Sequence, residues 1–381
     1  MTLDEFLQLR NTQLSTVIEN MRRTVGPDPD DLLLAVGSIV EGHGNSRSDL
    51  DLLLITPREF GSRASFVAGK CIVDVRVLKV AEVDELLDRF DNWSQSPWQV
   101  THAAPFTYDE RTLLHRLHHG LALHRGENEH VTMRLPSLLN LARLKLHVAR
   151  QLARTIQVDM AGYREVRDYR SLVFAAQEVL GHAVDALLAG HHLTNPLPKW
   201  RSRLLESLPT DWELSLGHRP TGLPAAERSW RLHRAPVRAD RESSLKHALR
   251  IATFARAVFH WAETTLLGSR VKRQPKTWPR TAPKSKEAPL PYLDFDVDFF
   301  RSNGHVTVAR LNEFSGTLKM SATEFAMALL FDGTTTPSEA ERFIYGSRQS
   351  KMQSKILASL VSEVVRVGFH VSPGRKQSVK K

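Results

Sequence analysis

Residues 37–55 read GSIVEGHGNSRSDLDLLLI, and this stretch decides both the predicted fold and the predicted chemistry of the chain. A Gly-Ser pair directly follows the apolar run LLLAV, which predicts a buried strand. A connection rich in Gly, Ser and Asn then leads into a second apolar run, in which Asp49 and Asp51 are separated by one residue. Side chains two residues apart on a strand point to the same face of the sheet. The two carboxylates are therefore expected to lie side by side.

The surroundings of these aspartates favour metal binding. Their strand is otherwise made of Leu and Ile, and a buried carboxylate without a partner is costly. Mg²⁺ prefers oxygen ligands and is usually shared between one or two carboxylates and substrate phosphates. A third strand, predicted over residues 70–80, adds Asp74, and this set of carboxylates is typical of a two-metal site. Two alternatives stay open: a solvated strand face for Asp49 and Asp51, and a salt bridge between Asp74 and Arg76.

The Gly-Ser pair, Gly37 and Ser38, predicts a phosphate-binding turn. Glycine has no β-carbon, so its backbone can approach a ligand closely. Free backbone N–H groups at such a turn can donate hydrogen bonds to phosphate oxygens, and the serine hydroxyl can do the same. Combined with the aspartates, the turn predicts a site for a nucleoside triphosphate and its metal ions.

These residues together resemble the signature of the DNA polymerase β-like nucleotidyltransferase superfamily, and within it the minimal and antibiotic-modifying branches. The resemblance lies in the pair at 37–38, in Gly42 and in the run SDLDL at 48–52. It implies a small mixed β-sheet flanked by helices and the transfer of a nucleotidyl group from a triphosphate. ATP is the first candidate for that triphosphate. Two Mg²⁺ ions are implied as cofactors, and Mn²⁺ is a possible substitute.

The resemblance also implies roles for individual residues. Members of the superfamily often have a basic residue between the positions of Ser38 and Gly42, but residues 39–41 read IVE here. The phosphate charge must therefore be met elsewhere, and Arg47 and Lys199 are candidates. The implied catalytic residues and metal ligands are Asp49, Asp51 and Asp74, and the implied nucleotide-binding residues are Gly37, Ser38, Arg47, Ser48 and Lys199.

The whole sequence predicts an α+β protein with several domains, because the chain is long for a single core. We predict a nucleotidyltransferase domain with a small mixed β-sheet over residues 1–129 and an all-α, substrate-binding domain over 130–268. A basic, Pro-rich linker is predicted over 269–291, a winged-helix-like domain over 292–372, and a basic tail over 373–381.

Helical periodicity supports the predicted all-α domain. Its layout is similar to the substrate-binding helices of kanamycin nucleotidyltransferase-like enzymes. In the string NPLPKWR, Lys199 or Arg201 could reach a triphosphate, and the alternative is a Pro-fixed turn anchored in the core by Trp200. Three amphipathic stretches carry the periodicity: 136–156, 163–190 and 240–268.

Local signals predict two further elements. Residues 1–24 are predicted to form one helix that begins with a capping box between Thr2 and Glu5. Residues 217–229, rich in Gly and Pro, are predicted to form a loop.

The C-terminal part predicts a hairpin, helices capped by Ser321 and Thr336, and a closing strand. Over residues 305–370 it resembles the peptide-recognition domain of ribosomal-peptide maturation systems, which implies a peptide partner bound by strand addition. A plain protein-interaction or dimerisation surface is the alternative. Acidic residues roughly balance basic ones in this part, whereas DNA-reading elements concentrate positive charge. Specific DNA binding is therefore not expected.

Composition sets further limits. The chain has 381 residues, a formal net charge of +10 and one cysteine, so an intramolecular disulfide is excluded. No apolar run is long enough for a membrane helix, and the N-terminus lacks the basic residues of a signal peptide. We therefore expect a cytoplasmic protein without a membrane partner. The His-rich run at 115–130 has no HExxH pattern, and a zinc site is not expected there.

The sequence therefore predicts an enzyme: a metal-dependent nucleotidyltransferase that moves a nucleoside monophosphate from a triphosphate to an acceptor hydroxyl and releases pyrophosphate. One alternative is a nucleotide-sensing protein whose winged-helix part acts on a partner. Another is a toxin–antitoxin or defence enzyme that modifies a protein or a tRNA. The acceptor, whether a small molecule, a peptide or a macromolecule, is not identified by the sequence.

Overall fold

The structure is a computed structural model of the chain, and it divides into two compact units. The first unit comprises Met1–Ala142 and Thr194–Trp200, and the second comprises Arg143–Leu193 and Arg201–Lys381. Helices and a mixed sheet occur together, which confirms the predicted α+β class. The described residues are 1–26, 31–58, 63–95, 105–124, 134–217, 220–236, 238, 240–267, 287–302, 305–312, 317–345 and 351–371.

A five-stranded sheet forms the centre of the first unit. Its strands lie in the order β3-β4-β2-β1-β5. The β2–β4 pair is parallel, and the other pairs are antiparallel, so the sheet is mixed as predicted. Strands β3 and β5 were not predicted, because short half-exposed strands give a weak periodic signal. The bounds are β1 Leu32–Val36, β2 Leu50–Thr56, β3 Arg63–Ala68, β4 Cys71–Lys79 and β5 Leu121–His124.

The prediction of one helix over residues 1–24 is wrong, because the chain breaks into α1, Leu3–Leu9, and α2, Leu14–Val25. At the break Asn11 has a φ of 55°, a left-handed conformation that ends a helix. The amide of Lys70, in the turn between β3 and β4, donates a 2.9 Å hydrogen bond to the Arg10 carbonyl there. The break is thus fixed by the sheet. The predicted capping box of Thr2 and Glu5 is confirmed.

Two layers of helices cover the sheet of the first unit. Helices α1 and α2 pack with alternate residues of β2 and β4, such as Leu52 and Val75, in one apolar core. Helix α3, Val80–Gln95, packs against β2 and β4, and helix α4, Tyr108–His119, packs against β1. Because side chains alternate along a strand, the residues between the core positions face the opposite side of the sheet.

The second unit contains the long helices. Helix α5, Leu138–Glu165, extends past residue 156, the predicted end of the first stretch. Helix α6, Tyr169–Gly190, begins at residue 169 and not at the predicted 163, because Asp168 caps it there. Helix α6 is long and apolar enough to cross a membrane by composition, but 67% of that window is buried inside the protein, as in a core helix. The prediction of a loop over 217–229 is partly wrong, because a helix begins at Ala225, directly after Pro224. The remaining helices are α7 Arg201–Glu206, α8 Ala225–His233 and α9 Arg241–Leu267.

The C-terminal elements belong to the same unit. An antiparallel sheet β7-β8-β9 contains the predicted hairpin, in which Val306 pairs with Met320. The predicted caps at Ser321 and Thr336 are both formed. The bounds are β6 Tyr292–Leu293, β7 Val297–Ser302, β8 His305–Arg310, β9 Leu318–Met320, α10 Ala322–Ala328, α11 Pro337–Tyr345, α12 Lys351–Arg366 and β10 His370–Val371.

Several predicted boundaries fall outside the described residues. These are the boundary between residues 129 and 130, residues 269–286 of the linker predicted over 269–291, and the tail over 373–381. The predicted domain limits therefore stay predictions.

Candidate active site

The sheet register places two of the predicted carboxylates next to each other. Asp51 on β2 and Asp74 on β4 are direct partners in the parallel pair, and neighbouring strands lie about 4.8 Å apart. Both side chains are half-buried. Asp49 directly precedes β2 and is exposed. Its charge acts on Asp51, so all three predicted carboxylates contribute to one electrostatic environment.

Gly37 lies directly against Asp51. Val36, the last residue of β1, is the register partner of Asp51. Gly37 follows with a φ of 79°, and a β-carbon at this position would clash with the Oδ2 atom of Asp51. The absence of a side chain at residue 37 therefore lets the turn and the Asp51 carboxylate approach each other. The predicted approach of this glycine to a triphosphate stays a prediction.

The connection after Gly37 is a compact turn. The amide of Glu41 donates to the Gly37 carbonyl at 3.1 Å, and the amide of Gly44 donates to the Ser38 carbonyl at 2.7 Å. Gly42 also has a positive φ, 74°. These bonds fold the backbone back on itself beside Asp51.

Arg47 and Ser48 lie in a second turn that leads into Asp49. The Ser48 hydroxyl accepts a 3.0 Å hydrogen bond from the Asn45 amide. The Arg47 amide donates to the Asn45 Oδ1 atom at 2.8 Å. Arg10 on the preceding helical break donates to the Ser48 carbonyl at 3.0 Å. The structure thus gives Ser48 a role in shaping the turn, while the exposed Arg47 side chain receives no such role.

The electrostatics of the site are dominated by Asp51. Burial raises the pKa of Asp51, and the negative charges of Asp49 and Asp74 raise it further, against the positive charges of Arg116 and Lys199. A raised pKa means that the ionised carboxylate is under-compensated. A bound cation would supply the missing charge.

Arg116 is a site residue that the sequence reasoning missed. It lies on α4, and its Nη2 atom is 3.3 Å from Asp51 Oδ2. The residue falls in the His-rich run at 115–130, for which only a zinc site was considered. Tyr108, Thr112 and Arg116 follow one another at intervals of four residues, so they share one face of the helix. This spacing was the signal available in the sequence, and in the structure that face lines a cleft with Asp51.

Lys199 is the basic residue of the NPLPKWR string that reaches the site. It lies in a 3₁₀ turn, Pro198–Trp200, within the first unit, and its charge acts on Asp51. Arg201, the other candidate, belongs to the second unit, where its Nε atom donates to Asp185 Oδ1 at 3.0 Å. Trp200 is half-buried, and its ring centroid lies 5.5 Å from that of His43 in the compact turn.

A buried polar network holds the Lys199 segment against the turn. His115 Nε2 lies 3.0 Å from Glu41 Oε2, and Asn195 Nδ2 donates to the same oxygen at 2.7 Å. Burial raises the pKa of Glu41, but the bonds from His115 and Asn195 outweigh it and hold the pKa below its ordinary value. His115 Nδ1 lies 3.0 Å from the Thr194 hydroxyl. The sequence did not predict this network, because its residues come from three separate segments of the chain.

A second histidine borders this network. His119 Nε2 lies 3.1 Å from the Thr194 hydroxyl, and its ring centroid is 4.5 Å from that of His115. Burial lowers the pKa of His119 to about 4, and the neighbouring His115 and His118 contribute in the same direction. His119 is therefore neutral at pH 7.

A cleft of about 360 Å³ opens over the paired carboxylates, within the size range of small-ligand sites. Asp51 and Asp74 lie at its floor, and Arg63, Arg76 and Arg116 line it. The predicted alternative of a salt bridge from Asp74 to Arg76 is not formed: within the described ranges neither residue has an ion pair. Asp74 instead accepts a hydrogen bond from the Ser65 hydroxyl.

The carboxylates suit a cation that shares its ligands with substrate. Among the residues that the structure describes, no three His, Cys, Asp or Glu side chains are close enough to hold a metal ion by themselves. Mg²⁺ commonly takes only one or two carboxylates and fills its octahedron with water and substrate phosphates. Asp51, which is under-compensated, and the adjacent Asp74 fit that requirement.

Comparison with known proteins adds no family to this description. No protein-family model matches the chain, and no curated protein is significantly similar to it. The function is therefore inferred from the geometry of the site itself.

Proposed function

We propose that the protein is a metal-dependent nucleotidyltransferase. It transfers a nucleoside monophosphate from a nucleoside triphosphate, with ATP as the first candidate, to a hydroxyl of an acceptor. The observation that supports this most is the register pairing of Asp51 with Asp74 beside Gly37. This arrangement brings two oxygen ligands and a phosphate-binding turn to one point of the sheet. We expect the reaction to occur in the cytoplasm.

The reaction needs three things from the chain: a place for the triphosphate, a place for the acceptor and a path for one proton. The backbone of Gly37 and the hydroxyl of Ser38 would bind the triphosphate. Lys199 and Arg116, whose charges act on Asp51, would offset the negative charge of the phosphates. Guanidinium and ammonium groups are the usual partners of phosphate oxygens.

The bond changes balance as follows. The acceptor oxygen forms a bond to the α-phosphorus, the bond from that phosphorus to the bridging oxygen breaks, and pyrophosphate leaves with the electron pair. The hydroxyl proton passes to the Asp74 carboxylate and from there to solvent. Bound by Asp49, Asp51 and Asp74, two Mg²⁺ or Mn²⁺ ions would supply charge neutralisation of the phosphates and a lower pKa for the attacking hydroxyl.

Pyrophosphate release tests this function. The protein is incubated with each of the four nucleoside triphosphates, Mg²⁺ or Mn²⁺ and a cell extract that supplies acceptors. Wild type is compared with the double variant Asp49→Asn/Asp51→Asn and with Asp84→Asn on α3 as the matched control. We expect release by wild type and the control only.

A result without release has a defined meaning. If no triphosphate gives pyrophosphate with either metal, transfer is excluded under these conditions. Nucleotide binding that persists without turnover would instead favour the sensor alternative.

A further inference from the structure

Two arginines face each other across the strand pair beside the carboxylates. Arg63 on β3 and Arg76 on β4 are direct register partners. Asp74 lies two residues before Arg76, and its own partner on β3 is Ser65. Residues two apart on a strand share a face, so the Arg63–Arg76 pair and Asp74 lie on the same face of the sheet. All of them line the cleft over the site.

This pairing is unfavourable unless something compensates it. Like charges directly opposite each other on neighbouring strands repel. In the part of the chain that the structure describes, neither guanidinium has a carboxylate partner. The nearby carboxylates contact other groups: Asp51 lies 3.3 Å from Arg116, and Asp74 accepts a hydrogen bond from Ser65.

One further acidic group, Asp109, lines the cleft. It lies in the first turn of α4, where the helix dipole stabilises negative charge without any arginine. Arg63 is exposed and Arg76 is half-buried, so both guanidinium groups can be reached by a ligand. Guanidinium groups on paired strands that lack a carboxylate partner suit the binding of phosphate or carboxylate groups.

The strand order indicates which substrate would supply that anion. Across the sheet the strands run β1, β2, β4, β3. The Gly37 turn follows β1, the carboxylates lie on β2 and β4, and the arginines lie on β4 and β3. The arginines are therefore on the opposite side of the carboxylates from the triphosphate turn. In an in-line displacement the attacking oxygen lies opposite the leaving pyrophosphate, so the acceptor would bind on the side of the arginines.

We propose that the acceptor carries an anionic group, a phosphate or a carboxylate, that binds between Arg63 and Arg76 while its hydroxyl lies at Asp74. The backbone positions of Asp74 and Arg76 lie about 6.6 to 6.8 Å apart along the strand, so a small acceptor can contact both residues. This inference rests on the proposed function and narrows its substrate class from any hydroxyl compound to an anionic one.

Three acceptors that differ only in charge provide the activity test. Glycerol, glycerol 3-phosphate and glycerate each present a hydroxyl, and pyrophosphate release is measured at several concentrations of each. Wild type should use one or both anionic compounds with a kcat/KM above that of glycerol by roughly 10- to 100-fold, the range expected for charge-assisted hydrogen bonds. Preference for the phosphate or for the carboxylate identifies the kind of anion.

The double variant Arg63→Gln/Arg76→Gln should lose this preference and keep the KM for the triphosphate. Arg22→Gln, an exposed arginine on α2, is the matched control and should behave as wild type. Equal use of all three compounds by wild type, or a preference that survives in the double variant, would overturn the proposal.

A binding measurement separates this inference from the proposed function. Glycerol 3-phosphate and glycerate are titrated calorimetrically into wild type, the double variant and the Arg22→Gln control, without nucleotide or metal. Binding that is lost only in the double variant supports the anion site even if no triphosphate is turned over. Absence of binding and of preference in wild type, while pyrophosphate is released, would reject the anion site and leave the proposed function standing.

Discussion

Two stretches of this chain alternate aspartates with apolar residues, and the structure uses them in opposite ways. The first is SDLDL at 48–52, with Asp49 and Asp51, and the second is DFDVD at 294–298. Both place carboxylates at alternate positions of an apolar run. Sequence spacing alone does not separate them.

The second stretch is paired with arginines, and Asp298 is its compensated carboxylate. Burial and the charge of Asp294 keep the pKa of Asp296 raised although Arg310 pairs with it. The Asp298 side chain is 4% exposed and accepts from Arg150 Nη2 at 2.9 Å and from Arg154 Nε at 2.7 Å. Arg256, also buried, donates to the Asp294 carbonyl at 2.7 Å. Burial raises the pKa of Asp298, but the two arginines outweigh it, and the pKa lies below its ordinary value. This network fixes β7 to α5 and α9.

The first stretch is left short of positive charge. The Asp51 side chain is 26% exposed and has one guanidinium at 3.3 Å. Burial and two neighbouring carboxylates raise its pKa. Asp298, which the protein itself compensates, has a structural role. Asp51, which is under-compensated and lies beside a second carboxylate, a glycine turn and a cleft, indicates a site for an external cation. The predictions below test this distinction.

Removing Asp298 should give the largest loss of stability. The variant Asp298→Asn leaves the half-buried Arg154 without its carboxylate partner and the buried Arg150 with Glu263 alone, which costs about 3–5 kcal/mol of the free energy of unfolding. Asp51→Asn removes a repelled charge and should not lower that free energy. Urea unfolding of both variants measures the difference. A smaller loss in Asp298→Asn than in Asp51→Asn would contradict the comparison.

The two glycines of the compact turn provide a matched pair with a smaller effect. Gly37 and Gly42 have φ values of 79° and 74°, so alanine at either position costs about 1–2 kcal/mol in backbone strain. Only at Gly37 would the new β-carbon clash with Asp51, and at Gly42 it meets nothing within 4 Å.

We therefore expect similar thermal destabilisation in Gly37→Ala and Gly42→Ala, with a much larger loss of pyrophosphate release in Gly37→Ala. Equal activity in the two variants at a temperature where both are folded would show that the approach of the turn to Asp51 is not needed.

The pH dependence of stability should have opposite signs at Asp51 and Asp298. The pKa of Asp51 is raised in the folded protein, so its contribution to stability is present below the ordinary pKa of 3.8 and is lost as the pH rises through the raised value. The pKa of Asp298 is lowered, so its contribution is present above 3.8 and is lost as the pH falls through the lowered value.

Urea unfolding of wild type, Asp51→Asn and Asp298→Asn across this pH range isolates each contribution as a difference from wild type. If the difference from wild type in the free energy of unfolding changed with pH in the same direction for the two variants, the two aspartates would have equivalent surroundings.

The sequence predicted the parts of the site that follow from local spacing. The i and i+2 rule predicted Asp49 and Asp51 on one strand face, but only Asp51 lies on β2, and Asp49 precedes the strand and is exposed. The turn at Gly37 follows from the glycine itself. Asp74 was predicted from the third strand, whose position next to β2 the structure confirms. Lys199 was one of two basic candidates, and only the structure separated it from Arg201.

The other site residues depend on packing and register, which a single sequence does not contain. Arg116 reaches Asp51 because α4 docks on β1. The Arg63–Arg76 pair depends on β3, a short edge strand that gave no clear periodic signal. Glu41 was noted only as a departure from the superfamily pattern, because its partner His115 comes from a distant helix.

Pyrophosphate release by Asp51→Asn and Asp298→Asn, measured side by side under conditions where both are folded, tests the central claim most directly. If the under-compensated cluster is the active site, Asp51→Asn loses at least roughly 100-fold in rate, as expected when one electrostatic contact to a transition state is removed, and Asp298→Asn keeps the wild-type rate. Retained release in Asp51→Asn would contradict the assignment of this cluster as the active site.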